Sequence, residues 1–136
     1  MKPNVIVAIT SLLTILLATF HLADDIVRGF EPGVVSNLAA VPFVVLWLYA
    51  TLVLVLAERR SGHVINLLFS LLVLVVPLVH MSGKGVGAGS RIASSSGAIF
   101  FVWTLIAIGV TGLFSAVLSA RELWSLRGRP PGKRPL

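Results

Sequence analysis

The chain has 136 residues, of which 57% are hydrophobic and only 12% charged, with a formal net charge of +6. Soluble domains are about 45–50% apolar and about 25% charged, so this little charge cannot clothe a surface against water. The absence of cysteine excludes disulfides, thiolate metal sites and cysteine-ligated iron–sulfur clusters.

The basic residues flank apolar runs and fill a short tail, where anionic lipid headgroups are nearer partners than nucleic acid. A helix needs about 20 mostly apolar residues to cross a hydrocarbon core. The first such run begins at Val5. Lys2 before it resembles a signal peptide, but the segment 18–24, ATFHLAD, is a poor cleavage site, so a retained helix is expected. Asp24, Asp25 and Arg28 extend that helix past the membrane, the two carboxylates standing one turn from the arginine. Gly29 suits a left-handed helix end, and Pro32 blocks resumption.

The second run, 36–57, carries no charge between Glu31 and Glu58. The turn 58–62 is short enough to make the second and third helices antiparallel neighbours. Ser61 is the expected N-cap of the third helix, 63–81. Pro42 and Pro77 are expected to kink their helices. The segment 82–96, SGKGVGAGSRIASSS, lacks the P-loop order and reads as a linker. The fourth run, 97–120, is uncharged. Arg121 to Arg127 then continue it as helix, and the Pro- and Gly-rich remainder reads as disordered.

Runs this long without two-residue alternation are helices rather than barrel strands. The expected fold is all-α: an integral membrane four-helix bundle, antiparallel, up-down-up-down, with short loops. It spans residues 1–120, with helices near 5–28, 36–57, 63–81 and 97–120, before a basic tail, 121–136. Lys2, Arg59, Arg60, Arg121, Arg127, Arg129, Lys133 and Arg134 fall on one side; Arg28, Lys84 and Arg91 fall on the other. The positive-inside bias puts both termini and the 58–62 turn in the cytoplasm, with the chain in a plasma (inner) membrane. The residue usage suggests a bacterium.

Lipid is as apolar as leucine, so close backbone contact and interhelical hydrogen bonds must hold the helices together. Gly112, Ala116 and Ala120 form a small-residue stripe, beside Thr104, Thr111, Ser115 and Ser119. Asn66 and Ser70 stack one turn apart, near His63. Asn66, Ser70, Thr104 and Thr111 form the expected intramembrane polar face.

Ionisable groups in membranes mark function first. His21, Asp24, Asp25 and His80 fall at the outer ends of the first and third helices. If those helices are neighbours, the four converge. Imidazole plus carboxylate suits a divalent metal, a thioether from Met81 would favour copper, and the same set suits a proton relay. The bland alternative is helix ends meeting water. Neither G-x-S-x-G nor any other enzyme pattern is present.

Small four-helix multidrug exporters share the size and span count but need an acidic residue deep in the first helix, where this chain has none before Asp24. Three functions stay open. The leading one is a non-enzymatic accessory or scaffold subunit, acting through helix–helix contacts with itself or a larger membrane partner. The second is a small oligomeric carrier or ion pathway. The third is a redox or sensing protein holding metal or haem at His21, Asp24 and His80. No cofactor is otherwise called for, and no nucleic acid.

Overall fold

The structure, a computed structural model, describes residues 2–29, 40–81 and 97–127. Among the described residues all regular structure is helical. The turn and linker expected at 30–35 and 82–96, and the tail beyond 127, lie outside them.

Helix α1 (Pro3–Val27) opens with Pro3, whose missing N–H would have had no helical partner. It closes as the glycine pattern requires: the Arg28 N–H reaches the Asp24 carbonyl at 2.9 Å, and Gly29 turns left-handed at φ +72°.

Helix α2 (Ala40–Tyr49) passes into π-helical turns at Ala50–Val55. Nothing in the residue pattern announces this widening. Its effect is visible in burial: Ala50, Thr51 and Val55 are all fully buried, an arc of about 140° at 3.6 residues per turn that a wider turn narrows. Pro42 sits in the first described turn of α2, and the turn before it lies outside the described residues.

The connection to α3 (Arg60–Val73) is tighter than expected. Glu58 takes a left-handed φ of +58°, and α3 begins at Arg60 with Arg59 as its N-cap residue. Ser61 therefore lies inside the first turn and is not the N-cap. The cause is Gly62: a Cβ there would lie 2.6 Å from the Leu54 Cβ and 2.7 Å from the backbone of Leu54 and Val55. That approach draws the helix start back towards the turn. Helix α4 (Val75–Met81) continues the same rod after a break at Leu74. Pro77 has no N–H to offer the Val73 carbonyl, which places the break where its ring would clash. Helix α5 (Ala98–Arg127) follows Gly97, which has φ +88°.

Three of these helical stretches, Pro3–Val27, Arg60–Met81 and Ala98–Arg127, are long and apolar enough to cross a membrane. Val41–Val55 is a shorter apolar helix. Helix α5 is the spine, packed along both α1 and α3, while α2 touches its neighbours mainly through its π turns. Ser11 meets Ser115 and His21 meets Thr104; Asn66 meets Ser119 and Ser70 meets Ser115.

The distribution of residue types is inverted relative to a soluble protein. Among the described residues, eleven buried side chains are polar or charged, as many as the eleven that are hydrophobic. The exposed surface meanwhile carries Leu68, Leu72, Leu78, Ile99, Trp103 and Phe114, each more than half exposed. Water would reject such a surface and lipid would not.

Candidate cation-binding site

Two polar clusters lie inside the helices, and they differ in whether their hydrogen bonds close. The first surrounds Asn66. Its Nδ2 donates to Ser119 Oγ at 2.8 Å and to Ser115 Oγ at 3.1 Å. Its Oδ1 accepts from Trp47 Nε1 at 2.7 Å and from Thr51 Oγ1 at 3.4 Å. Two donors and two lone pairs are an asparagine's full capacity. Ser70 donates to Ser115 at 2.9 Å, and Ser11 donates to the Val7 carbonyl at 2.8 Å. The 2.8 Å bond between Ser11 and Ser115 must therefore be donated by Ser115. The hydroxyl hydrogens of Ser11, Thr51, Ser70 and Ser115 each have an acceptor. This network joins α1, the α2 rod, α3 and α5.

The second cluster does not close. Helix α1 places His21 and Asp25 one turn apart on one face, 2% and 3% exposed. Helix α4 brings His80 against them: the His21 and His80 rings are 4.8 Å apart between centres and meet edge to face at 71°. Phe101 of α5 covers both rings at 4.8 and 5.9 Å.

The donors fix the tautomers. His80 Nδ1 lies 2.8 Å from the Val76 carbonyl, which can only accept, so Nδ1 carries the hydrogen. Thr104 gives its one hydrogen to the Phe101 carbonyl at 2.9 Å. With its hydrogen there, on the shorter of its two contacts, Thr104 accepts from His21 Nδ1 at 3.3 Å. With hydrogen on Nδ1, an imidazole has an Nε2 that is bare unless it holds a second proton or another cation; the His80 Nε2 contact with Asp25 is within hydrogen-bond distance, and a carboxylate can only accept. Both Nε2 atoms point at one carboxylate oxygen: His80 Nε2 is 3.2 Å and His21 Nε2 is 3.5 Å from Asp25 Oδ2. His21 Nε2 is buried and has no hydrogen-bond partner among the described residues. Lone pairs facing a carboxylate repel unless a positive charge lies between them.

A clasp closes the adjoining helix ends. Arg28 Nε donates to Asp24 Oδ2 at 2.6 Å, and Nη2 donates to the Gly97 carbonyl at 3.2 Å. The guanidinium lies 5.8 Å from the centre of the Phe101 ring. Gly97 has φ +88°, which favours glycine, and a Cβ there would also fall 2.7 Å from the movable Arg28 Nη2. Asp24 thus serves Arg28, while Asp25, His21 and His80 form the group whose ligand atoms all lie within 4.8 Å of one another.

The residues singled out from the sequence divide between the two clusters. Asn66 and Ser70 belong to the closed network and Thr104 to the histidine site. Thr111 bonds to its own helix, at the Ala107 carbonyl. Gly112 and Ala116 are buried, Gly112 against Val73 and the Ser70 carbonyl, whereas Ala120 is exposed. His63 is buried at the opposite end of the α3–α4 rod. Met81 is 71% exposed. Sequence reasoning passed over Ser11, Trp47, Thr51 and Phe101. Ser11 was findable: positions 11, 14, 21 and 25 follow one helical face through an otherwise apolar run.

The chain matches no family model, no curated protein and no solved structure.

Proposed function

We propose that this chain is an integral membrane protein, an antiparallel four-helix bundle, that captures a cation at one membrane boundary between His21, Asp25 and His80. The observation that carries the reading is the aim of two imidazole Nε2 atoms at one Asp25 oxygen. A membrane setting is supported by the three long apolar helices and by a surface more oily than the interior. The uncharged run between Glu31 and Glu58 supplies the fourth span. On the positive-inside bias the site faces away from the cytoplasm, with both termini and the 58–62 turn inside.

Binding fits the interior better than conduction. Ile15, Val73 and Ile108 are buried between the histidine site and the asparagine network. From Thr104 to Ser115 along α5 is about 16 Å, with a mainly apolar layer in that gap. A cation entering at His80 therefore meets a barrier before it meets the next polar group. A scaffold role draws less support, because Gly112 and Ala116 are spent within the chain.

The test is the state of the two imidazoles in full-length protein in lipid nanodiscs. Nitrogen-15 NMR of labelled histidine should show His21 and His80 with hydrogen on Nδ1 and at least one Nε2 protonated or metal-bound at neutral pH. Two neutral rings with bare Nε2 atoms beside an ionised Asp25 would overturn the proposal.

A further inference from the structure

Resting on that cation reading, we infer that the cation is a divalent transition-metal ion, with His21 Nε2, His80 Nε2 and an Asp25 carboxylate oxygen as its ligands. The edge lengths support this. Ligands at about 2.1 Å from a tetrahedral metal stand about 3.4 Å from each other. Two edges are already there, at 3.2 and 3.5 Å, and no ligand atom is more than 4.8 Å from another.

The surroundings support it as well. A metal-bound histidine characteristically donates its other ring N–H to a carbonyl, hydroxyl or carboxylate, which fixes the tautomer and aims the lone pair. Both histidines do so, to the Val76 carbonyl and to Thr104, from two different helices. A proton shared with Asp25 needs one oriented imidazole; here two are oriented and converge. Rings in edge contact leave no slot for a macrocycle, which favours a single ion over haem. Two imidazoles and a carboxylate select borderline ions such as Zn(II) or Co(II). Met81, 71% exposed, lies outside the buried cluster, so the thioether that would favour copper is not supplied.

Among the described residues three protein ligands are on hand, since Thr104 has spent its hydrogen on Phe101 and Asp24 is engaged by Arg28. The fourth position is then open to water or a small anion, the arrangement of reactive rather than structural zinc sites. Arg28 stands one turn beyond Asp25 on α1, where it would favour an anionic fourth ligand.

Metal-stripped full-length protein in nanodiscs, titrated with Co(II), tests the assignment. One equivalent should bind and develop visible bands of a four-coordinate ion. Azide should then shift those bands. His80→Gln and Asp25→Asn should abolish the bands while keeping wild-type helicity and monodisperse elution. Thr104→Val, which touches no metal, should weaken binding about 10- to 100-fold. Absence of Co(II) and Zn(II) binding to folded wild-type protein overturns the metal. If an Nε2 proton is then seen by NMR, the broader cation reading survives that loss. Bands that persist in His80→Gln would overturn the ligand set, and bands unmoved by azide would overturn the open position.

Discussion

Trp47 and Asn66 lie on different helices and share the 2.7 Å hydrogen bond that fixes the asparagine's orientation. An indole N–H can only donate, so Oδ1 must face it and Nδ2 must face Ser115 and Ser119. One contact thereby sets the direction of the whole central network.

Asn66→Leu should accordingly be the costliest polar substitution in the bundle. It strips four side-chain partners, and interhelical bonds in membranes average about 0.6 kcal/mol with a maximum near 1.7 kcal/mol. A loss of about 2–3 kcal/mol is expected by denaturant unfolding in detergent. Thr111→Val should lie within about 0.5 kcal/mol of wild type, because that hydroxyl bonds only to its own helix backbone.

Three glycines should rank in a definite order. Gly62→Ala forces a methyl to within 2.7 Å of Leu54 and Val55 backbone and should cost at least about 2 kcal/mol. Gly29→Ala meets open space but keeps φ +72°, for about 1 kcal/mol. Gly112→Ala meets a Val73 methyl at 2.9 Å, which can rotate aside, so its cost should fall well below that of Gly62→Ala. Thermal melts of the three variants check the order.

Loss of the Arg28 clasp should be mild. Arg28 and Asp24 side chains are 15% and 16% exposed, so Arg28→Gln should cost about 1 kcal/mol or less. Its clearer signature is freedom at the α1–α5 end: amide exchange at Gly97 and Ala98 should speed up while exchange around Asn66 stays unchanged.

The orientation is checked by labelling, since the chain has no cysteine of its own. Ser61→Cys and Ser125→Cys should react with an impermeant maleimide only after the cells are opened, and Ser94→Cys in intact cells. Labelling of Ser61→Cys and Ser125→Cys from opposite sides would contradict four spans.

The helical class was legible because the long uncharged runs lack the two-residue alternation of barrel strands, which leaves a helix to satisfy their backbone. The end of α1 was equally readable: Gly29 and the Asp24–Arg28 pair are local features, set within one turn. The start of α3 was not, because the contact of Gly62 with Leu54 depends on how two helices meet. The π turns at Ala50–Val55 likewise answer to burial against α1 and α3. His21, Asp24, Asp25 and His80 were recognisable as ionisable residues at the ends of two apolar helices, but the sequence put Asp24 with the histidines where the structure puts Asp25. Their convergence was conditional on α1 and α4 being neighbours, and the division of labour between Asp24 and Asp25 depends on their 100° separation around the helix. Thr104 and Phe101, which orient and cover the rings, come from α5, and no local pattern ties them to a site that far away in sequence.

The central claim is that His21 and His80 both aim Nε2 at Asp25, and a solid-state NMR distance tests it most directly. Nitrogen-15 on the imidazoles and carbon-13 on aspartate should show strong dipolar dephasing at both Nε2 atoms, as their 3.5 and 3.2 Å separations from Asp25 Oδ2 require. Asp25→Asn without labelled asparagine should abolish it. Full signal at either Nε2 in the wild-type bilayer sample would contradict the site.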